Sequence, residues 1–362
     1  MSPVRLAKTL FLDSFWLLVL VLVGCRVGPA GVRLNRFEFK QPHMGTLFTI
    51  TLYAPDEAHA REASDAASAK ITALEQMMTD YDPESELMQL CRRPVGEPTR
   101  VSADLFDVLD KSQRVAELSD GAFDVTVGPV VRLWRRTRRT GILPPPEALA
   151  QARAAVGWQK LKLDARNKTV TLAAPNMQLD LGGIAKGYAA DKALEVLKHH
   201  GLTRALVAAS GDIAVGDPPP GQRGWRVGIG APGTDSARSN PAQQHAGPET
   251  GAPIARTLLL KNAAVSTSGD SEQFIEIGGR RYSHIVDPRT GVGLTERLQV
   301  SVIARHATDT DSLDTAVSVL GVERGLKLVE SLTGTAALIL RVDGDRIATV
   351  ESSQMKRIRR RP

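Results

Sequence analysis

The sequence is poor in aromatic residues and in cysteine. Phe, Trp and Tyr make up 4% of its 362 residues, so a core must be built mainly from the aliphatic part of the 42% that are apolar. With only Cys25 and Cys91, the chain cannot form a disulfide framework. Length and composition are those of an ordinary globular protein with one large domain or two small ones.

A long hydrophobic run is also missing. The apolar run from Phe15 to Val23 is too short to span a bilayer as a folded helix, but it has the length of a signal-peptide core and follows Arg5 and Lys8. It ends in Leu-Val-Gly-Cys, which resembles a bacterial lipobox. We therefore predict a lipoprotein signal peptide over residues 1–24, lipidation of Cys25 and a linker over residues 25–36; a simple signal peptide or an uncleaved anchor are the alternatives.

Lipidation of Cys25 predicts where the protein is found. The chain would be exported and lipid-anchored to a bacterial membrane, facing the periplasm, and more than one acyl chain would make that attachment stable. Cys91 would then have no disulfide partner within the chain.

The net charge of +6 does not indicate a nucleic-acid partner. Five Lys or Arg residues follow Gln354, so the body of the chain is close to neutral. This basic tail, residues 353–362, either touches anionic lipid or phosphate or is simply solvated.

Apolar periodicity predicts an α+β fold, because strands and helices are mixed without the strict alternation of a doubly wound sheet. A basic loop is expected over 135–146, and a flexible surface insertion over 231–254, where Pro, Gly, Ser and Gln accumulate. Strands are predicted over 44–55, 160–163, 169–172, 206–209, 225–229, 274–286 (a hairpin turning at Gly278-Gly279) and 336–342, and helices over 57–79, 104–118, 146–156, 312–320 and 323–332. A further helix follows the glycines after Asp180, with Ala189, Ala193, Val196 and Leu197 on one face, and ends at Gly201.

Residues 228–233 match the G-x-G-x-x-G pattern of dinucleotide-binding folds. That pattern requires a helix immediately after the glycines, so that the helix N-terminus faces the pyrophosphate. Here Pro232 interrupts and a polar segment follows. A strand end with a turn is therefore the better interpretation.

Asp311 and Thr315 are spaced to share one helical face. A carboxylate and a hydroxyl in that arrangement suit a hard cation such as Mg²⁺, whereas an aspartate at a helix start is also a common capping residue. Taken alone, the segment favours the cap.

Other polar segments have equally plain alternatives. His284 can move protons near neutral pH and Arg289 could pair with a phosphate, yet a half-buried strand histidine and a turn explain the same pattern. Asp124, after a helix end, and the loop Ser210-Gly211-Asp212 each either face a ligand or serve the backbone. The glycines between Asp180 and Lys186 fit either a ligand-binding loop or a tight strand-to-helix turn.

Together and in this order, these segments resemble the ApbE family, the FAD:protein FMN transferases. Two departures stand out: Ser210 replaces a usual glycine, and Val125 a common proline. The matching segments are Met44-Gly45-Thr46, Tyr81-Asp82-Pro83, Ser85-Glu86-Leu87, GAFDVTVGPVVRLW (121–134), DLGGIAKGYAAD (180–191), SGDIAV (210–215), STSGD (266–270), YSHIVDPRTG (282–291) and Asp311–Thr315.

The resemblance implies a single ApbE-like, T-fold-related α+β domain over residues 37–352, with mixed sheets and flanking helices. It implies that FAD is the substrate, that FMN moves to a threonine hydroxyl of a partner protein, that AMP is released, and that Mg²⁺ is required. By analogy, the acceptor is an exported redox-complex subunit or respiratory flavoprotein. The alternatives are a Mg²⁺-dependent FAD pyrophosphatase and a non-catalytic FAD-binding lipoprotein.

The resemblance also assigns roles to residues. FAD contacts fall on Met44, Tyr81, Ala122, Phe123, Asp124, Asp180, Lys186 and Ile285, and metal ligands on Gly183, Ala185, Asp311, Asp314 and Thr315. His284 is our hypothesis for the group that takes the threonine proton, because of its pKa range and its motif.

Overall fold

The computed structural model describes residues 33–230, 254–269, 274–344 and 346–359. From Leu34 onward the chain forms one compact unit. The predicted signal peptide, Cys25 and nearly all of the predicted insertion lie outside the described residues. Among the helices of the described part, none has the length and apolar character to cross a membrane.

An antiparallel sheet of eight strands, in the order β1-β2-β6-β7-β10-β15-β16-β17, is the framework of the unit. Four smaller sheets accompany it, formed by β3-β5-β4, β8-β9, β11-β12 and β13-β14. The strands are β1 (Asn35–His43), β2 (Thr46–Ala54), β3 (Thr99–Arg100), β4 (Leu161–Asp164), β5 (Thr169–Leu172), β6 (Ala205–Ala209), β7 (Asp212–Val215), β8 (Trp225–Gly230), β9 (Ile254–Leu260), β10 (Ala263–Gly269), β11 (Phe274–Ile277), β12 (Arg280–Ser283), β13 (Val286–Asp287), β14 (Val292–Gly293), β15 (Leu298–Ala304), β16 (Ala336–Asp343) and β17 (Arg346–Glu351).

Several helices pack on one face of the large sheet, and the C-terminal helix packs on the other. A short 3₁₀ turn, Trp158–Lys160, precedes β4, and α7 is kinked at Gly321, where φ is 75°. The helices are α1 (Glu57–Met78), α2 (Glu86–Cys91), α3 (Ala103–Leu118), α4 (Gly128–Thr140), α5 (Pro146–Ala155), α6 (Ala185–His199), α7 (Ala307–Ser331) and α8 (Ser353–Arg359).

Side-chain alternation along the strands divides the core into two layers, because successive residues of a strand point to opposite faces. In β6, Val207 points into the layer shared with α1, α3, α6 and α7, whereas Leu206 and Ala208 point to the other face. That second layer is closed by the β8-β9 ribbon, with Trp225 fully buried, and by Met355 of α8.

The α+β prediction is confirmed, with the sheets antiparallel rather than mixed: within the described residues the paired strands are all antiparallel, and a single isolated bridge, Val127 to Gln178, is parallel. The hairpin turn at Gly278-Gly279 is also confirmed, with positive φ at both glycines.

Several predicted boundaries were wrong. The region expected to be a loop from residue 135 is helical to Thr140, because Trp134 and Thr137 are buried on one face of α4. Strand β1 begins inside the predicted linker, and β9 begins at Ile254, the last residue of the predicted insertion. The C-terminal residues 353–359 are not a solvated tail: they form α8, which anchors itself through the fully buried Met355.

Candidate active site

Lys186 lies at the centre of a group of buried carboxylates. It stands in the first turn of α6, and its ammonium contacts the Asp212 carboxylate and lies 3.8 Å from Oδ1 of Asp311. Asp212, Asp311 and Asp314 are all less than 5% exposed. Burial, with the charge of Asp212, raises the pKa of Asp311 to about 7. Burial and the charge of Asp311 raise the pKa of Asp314 well above its ordinary value.

The charge balance of this group fits a divalent cation. Three carboxyl groups face one ammonium, so full ionisation would leave the buried site with an excess of negative charge, and the raised pKa values of Asp311 and Asp314 reflect this. A divalent cation would favour the ionised carboxylates and neutralise their charge. The Thr315 hydroxyl lies 3.3 Å from Oδ1 of Asp314 and adds a neutral oxygen ligand. Among the described side chains, no group of three or more His, Cys, Asp or Glu forms a ready-made metal cluster. A cation would therefore also need the hydroxyl and backbone carbonyls, and the predicted carbonyls of Gly183 and Ala185 belong to the adjoining turn.

The turn before α6 and the first turn of α6 itself both lie very close to α7. A Cβ on Gly183 would lie 3.1 Å from Oγ1 of Thr315, and a Cβ on Gly187 would lie 2.1 Å from the carbonyl oxygen of Ala307. The N–H of Gly187 donates to Oδ2 of Asp311 at 2.9 Å. Glycine is required at position 187 because a Cβ there would collide with the backbone of α7.

The start of α7 is held from α6. The Asp191 carboxylate accepts hydrogen bonds from the N–H groups of Ala307 and Thr308, at 2.8 and 2.9 Å. Because the helix begins at Ala307, Asp311 lies in its second turn. The capping explanation for Asp311 is therefore wrong, and its carboxylate points to Gly187 and Lys186 instead.

A second polar cluster surrounds Arg135. Its guanidinium donates to Oδ2 of Asp180 at 2.8 Å and contacts the Asp80 carboxylate. Its central carbon lies 4.6 Å from the ring centroid of Tyr81. Asp180 also accepts from the N–H of Gly182 at 2.8 Å, which shapes the turn toward α6. Two predicted FAD contacts, Tyr81 and Asp180, are thus joined by one arginine.

The hydrophobic contacts predicted for FAD come together in part. Ala122 and Ile285 share a small cluster with Val319. Phe123 belongs to the main core, with Cε2 3.3 Å from where a Cβ on Gly183 would lie.

Asp124 serves its own loop. Its Oδ1 accepts from the N–H and the hydroxyl of Thr126, at 2.8 and 2.7 Å, and burial raises its pKa. The structure thus supports the local role that was the alternative for this residue, and a ligand contact stays a prediction.

Met44 lies at the tip of the β1-β2 hairpin and packs against the main core, to which Phe123 also belongs. Met44 and Gly45 form the two-residue turn, with φ of 49° and 72°, and the N–H of Met44 donates to Oε1 of Glu75 at 2.7 Å. A methionine in this left-handed conformation is unusual, and the bond to Glu75 helps to hold it.

His284 is half-buried and directly follows strand β12. Its neighbour Ile285 packs against Ala122, which places the histidine beside that cluster along the chain. Arg289, considered above for a phosphate, forms a two-pronged pair with Asp287, at 2.9 and 3.0 Å. The turn explanation therefore fits Arg289.

Comparison with known proteins identifies the family. Residues 44–339 match the ApbE family along most of the chain. The chain belongs to the ApbE family. It is 34% identical to an FAD:protein FMN transferase of Treponema pallidum, over 89% of this chain and 90% of the relative, and 30% identical to one of Haemophilus influenzae, over 87% and 89%.

Solved ApbE structures share the fold. The flavin transferase ApbE from Vibrio cholerae superposes with a TM-score of 0.77 at 27% identity, covering 90% of this chain and 99% of that one. The ApbE protein of Thermotoga maritima gives 0.76 at 28% identity, covering 90% and 100%.

Sequence reasoning missed three residues that the structure brings to the candidate site. Arg135 falls in the region predicted to be a loop, whereas the structure has it in helix α4 with its guanidinium on Asp180. Asp212 was noted only as part of a small loop, and Asp191 only as part of a motif. For Asp191, whose partners lie more than a hundred residues away, no local signal exists.

Proposed function

We propose that this protein is a flavin transferase that moves FMN from FAD onto a threonine hydroxyl of a target protein and releases AMP. The family membership supports the activity, since the relatives are named FAD:protein FMN transferases. The structural observation that carries the proposal is the buried excess of carboxylates around Lys186, next to the Gly183 turn.

The cation is proposed to be Mg²⁺, held by Asp311, Asp314 and Thr315 with carbonyls of Gly183 and Ala185. When bound, it would neutralise pyrophosphate charge and make the phosphorus more electrophilic. Lys186 would offer a positive charge to the nucleotide while Asp212 fixes its position. Positioning and charge stabilisation carry most of the catalysis in phosphoryl transfer.

FAD would be held by the remaining predicted contacts. Ala122 and Ile285 offer an apolar surface, and Tyr81, which is 78% exposed, offers an aromatic ring. Asp180 offers a hydrogen-bond acceptor. Met44, Phe123, Asp124 and Lys186 complete the set.

The transfer itself exchanges the phosphoanhydride bond of FAD for a phosphoester bond to threonine. The threonine oxygen attacks the phosphorus on the FMN side of the pyrophosphate, the bond to AMP breaks, and FMN stays on the threonine. His284 is proposed to take the hydroxyl proton, because it directly precedes Ile285 of the Ala122–Ile285 cluster in the sequence and because an imidazole side chain can accept a proton in general base catalysis.

The acceptor is proposed to be an exported redox-complex subunit or respiratory flavoprotein, reached by an enzyme that is lipid-anchored through Cys25 and faces the periplasm. The lipobox supports this location. Nucleic acid is not a proposed partner, given the near-neutral body of the chain.

The test combines the purified protein with FAD, Mg²⁺ and an exported flavoprotein domain carrying an accessible threonine, and measures the mass of that domain and the AMP released. An FMN adduct that does not form in EDTA is the expected result. AMP and free FMN with no adduct would favour a pyrophosphatase. Bound FAD without AMP, with or without acceptor, would refute the transferase.

A further inference from the structure

Arg135 connects two elements that the proposed FAD site needs. It projects from α4, whereas Asp80 and Tyr81 follow α1 and Asp180 begins the turn into α6. One guanidinium therefore contacts two carboxylates and one aromatic ring on separate parts of the chain.

The cluster is built rather than incidental. The Arg135 side chain is 26% exposed, and the side chains of Asp80 and Asp180 are 13% and 10% exposed. Helix α4 is itself fixed, because Nε1 of Trp134 donates to the carbonyl of Gly291 at 2.8 Å. Surface ion pairs on flexible side chains contribute little, whereas a planar, partly buried guanidinium with several fixed partners is pre-organised.

Tyr81 shows what the arginine can do for a ligand. The tyrosine is 78% exposed, so packing against the core does not hold its ring in place. The guanidinium lies over one face of the ring. The opposite face is then available for stacking with a flat ring system.

We propose that Arg135 is a positioning residue for FAD: it holds the Tyr81 ring and the Asp180 carboxylate as two walls of the nucleotide site. This inference rests on the proposed function. Lysine cannot replace it fully, because one ammonium group cannot bridge two carboxylates and also lie flat on a ring.

Arg135 also keeps Asp180 able to accept a hydrogen bond. Burial raises the pKa of Asp180, and the neighbouring charge of Asp80 raises it further. The positive charges of Arg135 and Arg132 act in the opposite direction. Without Arg135 the carboxyl should protonate at a higher pH.

The experiment measures FAD affinity of the full-length protein by quenching of flavin fluorescence. We expect Arg135→Gln to raise the Kd for FAD about tenfold, the size of effect that corresponds to losing one charge-assisted hydrogen bond, here the one that holds Asp180. Arg135→Lys should raise the Kd by a smaller factor. Arg136→Gln removes an exposed arginine from the same helix and should leave the Kd unchanged.

Two further readouts separate positioning from general stability. In a Tyr81→Ala background, Arg135→Gln should raise the Kd by a smaller factor than in the unmodified protein, because one of its two routes is already lost. On acidification, FAD affinity should fall at a higher pH in Arg135→Gln than in the unmodified protein or in Arg136→Gln.

Each remaining outcome decides against a specific claim. An unchanged Kd in Arg135→Gln would overturn the inference. It would also be overturned if Arg135→Gln raised the Kd by the same factor with and without Tyr81→Ala, and the pH dependence of FAD affinity did not shift. Failure of the unmodified protein to bind FAD would overturn the proposed function as well. Should Arg135→Gln not fold, the Arg135→Lys variant carries the same comparisons.

Discussion

Replacing Gly187 with alanine should damage both the packing of α6 on α7 and the cation site. The new Cβ would lie 2.1 Å from the carbonyl oxygen of Ala307 and 2.8 Å from Cβ of Asp311. Since ordinary contacts begin at about 3.4 Å, the helices would have to separate by about 1.3 Å at this point. Both obstacles are firmly held, because one is backbone and the other carries the Asp311 carboxylate.

The magnitude follows from two opposing effects. Overpacking a tight core costs about 1–3 kcal/mol and occasionally more, and a backbone obstacle places this site at the upper end. Alanine recovers about 1 kcal/mol of helix propensity over glycine. The free energy of unfolding should therefore fall by about 2 kcal/mol. The hydrogen bond from Gly187 to Asp311 would also be disturbed, so the Mg²⁺ concentration for half-maximal AMP release should rise.

The assay is urea denaturation of both proteins, followed by Mg²⁺ titration of AMP release. Lys198→Ala, at an exposed position of the same helix, is the control and should stay within about 0.5 kcal/mol of the unmodified protein. A Gly187→Ala protein that is as stable as the unmodified one, with the same Mg²⁺ response, would refute the close approach of α6 and α7.

Three other changes have definite expected results. Ser210→Gly should stabilise the protein by about 1 kcal/mol, since Ser210 has a φ of 58° in the β6-β7 turn and glycine adopts this left-handed conformation without the steric cost. Thermal denaturation measures the change, and a lower Tm would contradict the inferred backbone strain at Ser210. Asp191→Ala should lower the free energy of unfolding by about 1–3 kcal/mol, because Ala307 and Thr308 lose their acceptor; urea denaturation would show no change if α7 were held elsewhere. His284→Ala should abolish transfer but still bind FAD, and normal transfer, read from the acceptor mass, would remove the proton-acceptor role.

The fold class and about half of the elements could be read from the sequence because their signals are local, whereas β1, β7, β10, β15 and β17 of the large sheet were not predicted. Apolar periodicity placed α1 within one residue at its C-terminal end, and two glycines located the β11-β12 turn. Strand β1 was not predicted, although Phe37 and Phe39 alternate with charged residues: the alternation is short, and no residue of this edge strand before His43 is buried. Helix α8 was not predicted because its sequence is dominated by basic residues, and Met355, which anchors it, is too isolated to give an apolar periodicity.

The sequence by itself determined that this chain resembles the ApbE family, because the family's motifs occur in it in order. The family match over residues 44–339 confirms this. Motifs fix which residues are present and their local spacing, since both are properties of neighbouring positions. The tertiary structure alone decided what these residues face. It showed that Asp311 does not cap a helix, that Arg289 pairs with Asp287, and that Arg135 joins Tyr81 to Asp180. Arg289 and Asp287 are neighbours in the sequence, but the hydrogen-bond partners of the Arg135 and Asp311 side chains lie at least 45 residues away, and only tertiary packing brings them within hydrogen-bonding distance.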